Sequence, residues 1–149
     1  KEYKHIDWQC TPEQINYGAL HEKRYIGSLS AYCGATSAAT GAACGIAYML
    51  GGSYEDICGI ITNTINTTGG MVCDGAKASC AAKIASAVEA GLLGMQMQMQ
   101  GEQFYGGDGI VVKGVENTIR NVGRLARYGM AETDKEIINM MISGQPQSC

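Results

Sequence analysis

The stretch that most constrains the fold is Ser30–Leu50, which is long, apolar and rich in alanine. Its pattern indicates a helix, and Gly34, Gly41 and Gly45 are spaced along it. Each interior glycine costs a helix roughly 0.5–1 kcal/mol relative to alanine, and the compensating gain is the close approach of another backbone. A membrane-spanning helix is the alternative, but the serine and threonine side chains and the short apolar length argue against it. The stretch therefore predicts a central helix that is surrounded by other helices.

The patterns on either side of this stretch predict further helices. Ser53, which is followed by acidic residues, is a predicted N-cap, and Thr133 to Glu136 has the pattern of a capping box. Gly129 is predicted to close the helix before it as a C′ residue. The Met-Gln run of residues 95–100 alternates with the period of a strand, but we interpret it as helix because no partner strand is evident. The predicted helices lie at about residues 12–24, 53–67, 75–100, 115–128 and 133–142.

Length and charge bound the number of domains and the partners. The 149 residues suffice for one domain with a real core, and no repeat or linker divides them. Residues 1–149 are therefore predicted to form one compact all-α domain packed around the Ala/Gly-rich helix. The net charge is −3 without a basic block, so nucleic acid is not an expected partner. We recognise neither a membrane-spanning run nor a signal peptide.

Cysteine usage points to a reducing compartment. The seven cysteines are an odd number, and the segments between them have ordinary helical patterns rather than those of a disulfide framework. A cytoplasmic protein is therefore predicted. Because the chain begins with Lys1 rather than methionine, we expect it to be a piece of something longer.

Two cysteines, Cys73 and Cys80, stand seven residues apart in a glycine-containing motif. On one continuous helix they would share a face but lie roughly 10 Å apart, from about 1.5 Å of rise per residue, which is too far for a disulfide. If Cys73 lies in the turn before the helix and Cys80 in its second turn, the two could hold a cluster several ångströms across. The alternative is that both are small buried apolar residues.

Cys33 extends this pair to a possible set of three thiolates. It stands at the start of the central helix, where free backbone N–H groups and the helix dipole favour an anion. Three cysteine ligands can leave one iron of a 4Fe–4S cluster open to substrate, and zinc with a fourth ligand is the alternative.

The other potential ligands carry weaker signals. Cys44 and Cys58 lie within apolar helices, which favours a place in the core. Cys10 has no informative context, and His5 and His21 have no metal-like spacing to the three cysteines.

Residues 27 to about 142 resemble the C-terminal α-helical domain of the iron–sulfur L-cysteine desulfidases, within the wider serine dehydratase alpha-chain-like group. The most specific motif is Gly-Met-Val-Cys-Asp-Gly-Ala-Lys-Ala-Ser-Cys-Ala at residues 70–81. The resemblance also rests on residues 26–34, 48–52, 109–110, 119–121 and 129–134.

This resemblance implies a 4Fe–4S cluster held by Cys33, Cys73 and Cys80, which aerobic purification could remove. It implies β-elimination of L-cysteine to pyruvate, ammonia and sulfide. L-Serine dehydration and an inactive or structural fragment are the alternatives. Family members have an additional N-terminal domain, so this chain resembles only the C-terminal, cluster-binding part. The implied partners are a small amino-acid substrate and that missing domain, and homo-oligomer formation stays open.

Elimination across Cα–Cβ needs a base and a group that binds the substrate carboxylate. The nearest ionisable candidates are Asp74 and Lys77, and Lys77 could bind the carboxylate with help from a helix N-terminus at Gly75. An ordinary i,i+3 ion pair is the alternative. Arg120 and Arg124 could also hold a carboxylate, but a solvated helix face is favoured.

The last residues of the chain carry a separate hypothesis. Gly144 and Pro146 predict a non-helical tail, and the terminal Cys149 thiol could reach the open iron of a resting cluster. The alternative is a frayed chain end.

Overall fold

The computed structural model describes residues 25–26 and 30–144. The helix predicted at residues 12–24 falls outside the described residues. The same holds for four side chains discussed above, namely His5, Cys10, His21 and Cys149.

The described part of the chain is all-α, as the sequence predicts. It contains five α-helices and one π-helical turn, and its only β-structure is a single antiparallel bridge between Tyr32 and Val72. None of these helices combines the length and apolar character needed to cross a membrane. The elements are α1 (Gly34–Met49), α2 (Tyr54–Thr68), α3 (Ser79–Met99), α4 (Val115–Arg124), the π-helical turn (Leu125–Gly129) and α5 (Ala131–Ser143).

Helix α1 is the most buried of the described helices, and it packs against both α2 and α3. Nine of its 16 residues are buried. One close approach of the kind that the sequence predicts involves a glycine on the facing helix. A Cβ added to Gly91 of α3 would lie 3.0 Å from the Ala39 carbonyl oxygen and 3.1 Å from the Ala43 Cβ. At Gly34, in contrast, an added Cβ would meet nothing within 4 Å, so packing does not require that glycine.

The beginning of α2 and the end of α3 confirm two predictions. The Ser53 hydroxyl accepts a hydrogen bond from the Asp56 backbone N–H at 3.1 Å, and the Ser53 backbone N–H donates to the Asp56 carboxylate at 2.8 Å. This reciprocal capping box ties down two N–H groups that a helix start leaves free. Helix α3 runs without interruption to Met99, so the alternating Met-Gln run is helical.

Other predicted helix ends were wrong. Helix α3 begins at Ser79 rather than Gly75, because Gly75 has a φ of 91°, which a right-handed helix cannot accommodate. Gly129 is not a left-handed C′ residue, since the chain widens there into the π-helical turn and the Met130 N–H donates to the Leu125 carbonyl at 2.9 Å.

The capping box predicted at Thr133 does not form. The Asp134 N–H donates to the Met130 carbonyl at 2.9 Å, so α5 already begins at Ala131 and Thr133 lies inside it. Met130 is the N-cap and provides no side-chain hydrogen bond.

Candidate cysteine site

The backbones of Cys33 and Cys73 lie side by side at the start of α1. The Cys33 N–H donates to the Met71 carbonyl at 3.1 Å, and the Cys73 N–H donates to the Ala31 carbonyl at 2.6 Å. These two bonds flank the antiparallel pair Tyr32–Val72. The structure therefore joins two segments that are 40 residues apart in the sequence, a pairing that no local pattern reveals.

The register of this bridge places both cysteines on one face. Side chains alternate along an extended segment, so Cys33 and Cys73 both lie on the face opposite to Tyr32 and Val72. Within the bridge they are diagonal neighbours, whose separation is roughly 7–8 Å. This spacing is too wide for a disulfide and suits ligands on opposite sides of a group several ångströms across.

The Cys80 thiol belongs to the same short stretch as Cys73, residues 71–80, which we call the cysteine loop. Cys80 is the second residue of α3, and its Sγ turns back onto the preceding turn. It donates to the Gly75 carbonyl at 3.1 Å and accepts from the Lys77 N–H at 3.4 Å. Cys33 is buried, Cys73 and Cys80 are half-buried, and all three are free thiols. Cys73 lies before the helix as expected, whereas Cys80 lies in the first turn of α3 rather than the second, because the helix begins at Ser79 and not at Gly75.

Lys83 is a functional candidate that the sequence reasoning missed. It stands three residues after Cys80, one turn further along α3. Its Nζ donates to the Val72 carbonyl at 2.9 Å and to the Asp74 carboxylate at 2.5 Å. Lys83 thus ties α3 to the residues on both sides of Cys73. Its i+3 spacing from Cys80 is the one signal that could have pointed to it.

Electrostatics also place Lys83 beside the thiols. The hydrogen bond to Asp74 raises the pKa of Lys83 above its ordinary value, and the sulfurs of Cys33 and Cys80 add to the increase. The same hydrogen bond lowers the pKa of Asp74. A positive charge therefore lies among groups that become negative when thiols bind a metal.

Asp74 and Lys77 do not form the ion pair that a helix would create. Residues 74–78 are not helical, with a bend and turn at residues 76–78, and Asp74 pairs with Lys83 instead. Lys77 is exposed and forms no ion pair with another described residue. Its side chain is therefore accessible to a ligand.

The structure contains no preformed site for a single metal ion in the described residues. No group of three or more Cys, His, Asp or Glu side chains there has the arrangement of metal-ion ligands.

The two other described cysteines lie in α1 and α2. Cys44 is buried in an apolar cluster of α1 and α2, as predicted. Cys58 is only half-buried, and burial is the main cause that raises the pKa of its thiol. It lines an open groove of about 730 Å³ rather than the core.

The two arginines considered for carboxylate binding have different surroundings. Arg120 is exposed and donates to the Asn117 side chain at 2.7 Å, as expected of a solvated face. Arg124 lines an open groove of about 580 Å³ together with Asn121 and Tyr128. None of the three candidate cysteines lines this groove.

Comparison with known proteins identifies what this chain is similar to. The family model described as serine dehydratase alpha chain matches residues 16–139. A UPF0597 protein of Desulfitobacterium hafniense is 56% identical over 128 residues, which are 86% of this chain and 30% of that protein. A UPF0597 protein of Treponema denticola is 50% identical over 127 residues, which are 85% of this chain and 30% of that protein. The chain thus spans about 30% of the length of these relatives. No solved structure matches it.

Proposed function

Because the chain belongs to the serine dehydratase alpha chain family, we propose that it is the cluster-binding domain of an iron–sulfur lyase. The proposed reaction is the β-elimination of L-cysteine to pyruvate, ammonia and sulfide. The observation that supports it best is the bridge that brings Cys33 beside Cys73, with Cys80 in the adjoining turn. The free thiols of the described cysteines suit a reducing cytoplasm.

The donor set fits a 4Fe–4S cluster better than a single ion. Cys33, Cys73 and Cys80 would hold it, since thiolates are the ligands of such clusters. Their spread across the bridge and the following turn suits a group larger than one metal ion. When bound through three cysteines, the cluster supplies an open, Lewis-acidic iron that can polarise the β leaving group or the carboxylate.

The neighbouring charged side chains have distinct proposed roles. Lys77, which is exposed on the turn before α3, binds the substrate carboxylate. Asp74 takes the α-proton. Its ion pair with Lys83 fixes its position, and it also lowers the pKa of Asp74 and therefore its strength as a base. Lys83 is a positioning residue, because it ties Asp74 and the carbonyl before Cys73 to α3.

L-Serine is the second candidate substrate. The matching family is described by serine dehydration, and loss of water from L-serine is the same elimination with a hydroxyl leaving group. The two substrates differ only at the β-atom, so none of the three roles above distinguishes them.

The test needs the full-length setting, because the chain spans about 30% of its relatives. We suggest a chimera in which this chain replaces the matching region of the Desulfitobacterium hafniense relative. After anaerobic reconstitution with iron and sulfide, pyruvate is measured with L-cysteine and with L-serine. The proposal predicts turnover that is faster with L-cysteine and is lost in Cys73→Ser. If only L-serine is turned over, L-serine replaces L-cysteine as the proposed substrate. If a cluster-loaded chimera turns over neither amino acid, the proposed lyase activity is contradicted.

The charged residues are tested in the same chimera. Lys77→Met should mainly raise KM, because it removes a contact to the substrate carboxylate, whereas Asp74→Asn should mainly lower kcat. Lys113→Met is the matched control, since Lys113 is an exposed lysine outside the cysteine loop. Equal kinetic effects of the Lys77 and Lys113 variants would contradict the proposed role of Lys77 in binding the substrate carboxylate.

A further inference from the structure

Helix α3 has the composition of a buried helix and the exposure of a surface helix. It is the longest of the described helices, with 21 residues, yet only Ala87, Gly91 and Gly94 are buried. Its only charged residues are Lys83 and Glu89, and Lys83 is already engaged in the cysteine loop. A helix that faces water normally carries charged residues along its outer face. The outer face of α3 is therefore suited to contact with another protein surface.

Three large apolar side chains form a stripe on this outer face. Ile84, Val88 and Leu92 are 52%, 36% and 39% exposed, and their four-residue spacing places them on one side of the helix. Leu92 follows Gly91, whose position lies against Ala39 and Ala43 of α1. The stripe is therefore next to the contact between α3 and α1.

Helix α1 continues this surface on the other side of the contact. Ala38 and Ala42, which directly precede the two alanines that meet Gly91, are both exposed. None of the 16 residues of α1 is charged. We call the five exposed residues Ala38, Ala42, Ile84, Val88 and Leu92 the α1–α3 face.

The helices that follow carry more charge, and the second half of α5 also exposes the large apolar side chains of Ile138, Met140, Met141 and Ile142. The segment Val115–Ser143 contains eight charged residues, namely Glu116, Arg120, Arg124, Arg127, Glu132, Asp134, Lys135 and Glu136. Charge is thus sparse on α1 and α3, where Glu89 is the one exposed charged residue beside the stripe. A nucleic acid or an anionic membrane would require lysines and arginines there, whereas an apolar protein surface would not.

We propose that the α1–α3 face is the docking surface for the remaining part of a full-length family protein. This chain spans about 30% of the relatives that it matches, so some two thirds of such a protein lies outside it. That length is ample for a domain that could cover the face.

The position of the face adds a functional reason. Helix α3 carries Cys80 at its start and Ile84 one turn later, so a domain docked on the stripe lies beside the cysteine loop. It can supply a wall that excludes water from the site, as elimination chemistry favours. The docking surface itself does not depend on the proposed lyase activity, because it rests on exposure and charge alone.

Hydrogen–deuterium exchange tests the docking surface. Amides of Ile84 to Leu92 are compared in this chain alone and in the chimera with the Desulfitobacterium hafniense relative. Docking predicts exchange that is about tenfold or more slower in the chimera, since covered helices open less often. Amides of Glu132 to Glu136, at the charged start of α5, should change little. Equal protection of Ile84 to Leu92 in both proteins would overturn the proposal.

Two substitutions at side chains of similar exposure test the proposal in the chimera, without reference to the isolated chain. Leu92→Glu places a charge on the face, and Ile138→Glu does so on α5, where Ile138 is 44% exposed. In the chimera, Leu92→Glu should lower Tm by about 4 °C or more and Ile138→Glu by much less. Equal shifts would overturn the proposal. The proposal would also be overturned if this chain forms a dimer that Leu92→Glu dissociates, while the same substitution leaves the Tm of the chimera unchanged. A second copy of this chain would then cover the α1–α3 face.

Discussion

Lys83 is the residue that connects the parts of the candidate site. It holds the carbonyl before Cys73 and the carboxylate after it, and it extends from the helix that carries Cys80. Its removal should therefore loosen the loop rather than unfold the domain. The pair that it forms with Asp74 does not follow from the sequence, because a helix across Gly75 would have paired Asp74 with Lys77 instead.

Lys83→Met should increase the exchange rate of the Cys73 amide several-fold, because the segment that carries this amide loses its hydrogen bonds from Lys83 to the Val72 carbonyl and the Asp74 carboxylate. Lys135→Met is the control, since Lys135 forms an exposed ion pair with Glu132 at 2.6 Å far along the chain. Site-resolved hydrogen exchange of the metal-free protein measures both. Unchanged protection of Cys73 in Lys83→Met, with the fold intact by circular dichroism, would contradict the positioning role.

The Ser53 cap gives a prediction about stability. Ser53→Ala should lower the free energy of unfolding by about 1 kcal/mol near neutral pH, which is the usual cost of losing an N-cap side chain. Chemical denaturation at pH 7 measures this difference. A change below about 0.3 kcal/mol would show that the capping box contributes little.

The same cap has a defined pH dependence through Asp56. The pKa of Asp56 is lowered, chiefly by the hydrogen bond from the Ser53 backbone N–H and then by the Ser53 side chain. Its contribution to stability is complete above the unfolded pKa of about 4 and is lost as pH falls through the lower folded pKa. Asp56→Asn should therefore destabilise the protein at pH 7 and progressively less below about pH 4. A difference that persists undiminished at pH 2, measured by denaturation, would contradict this assignment.

At the scale of elements, the contact between α1 and α3 depends on a small residue. In Gly91→Ala the new Cβ would lie 3.0 Å from a backbone oxygen that cannot move freely. The expected cost of overpacking is about 1–3 kcal/mol, which exceeds the gain of roughly 0.5–1 kcal/mol from replacing a helical glycine. Net destabilisation is therefore predicted.

Gly34→Ala is the matched control for this contact. An added Cβ at Gly34 meets nothing within 4 Å, so only the helix-propensity gain applies. Thermal unfolding should give a lower Tm for Gly91→Ala and an equal or higher Tm for Gly34→Ala. A stabilised Gly91→Ala would mean that α1 and α3 do not approach as closely as described.

The elements show where sequence reasoning succeeds and where it stops. The Ala/Gly-rich pattern predicts a central α1, and the Ser53 signal gives the start of α2, because both depend on residues within one or two turns. The Tyr32–Val72 bridge depends on pairing across 40 residues, and the start of α5 depends on a bond from Asp134 back to Met130. The bridge is a tertiary contact that no local pattern encodes, whereas the bond at the start of α5 is local and the capping-box pattern at Thr133 misplaced that start.

At the scale of the whole molecule, the uncharged α1–α3 face and the charged α4–α5 segment divide the surface. Composition alone predicts α1 as surrounded, and in the described residues its inner side is indeed buried between α2 and α3. Its outer residues Ala38 and Ala42 are exposed. The incomplete cover agrees with a chain that spans about 30% of its relatives.

The most direct test of the central claim is the iron and acid-labile sulfide content of the anaerobically reconstituted chimera. The account predicts about four irons per chain in the parent, as a 4Fe–4S cluster requires. It predicts that most of the iron and sulfide is lost in Cys33→Ser, Cys73→Ser and Cys80→Ser. Cys44→Ser, which changes a cysteine of the apolar core, should retain the iron and sulfide content of the parent. Four irons retained in the three site variants, or lost equally in Cys44→Ser, would contradict it.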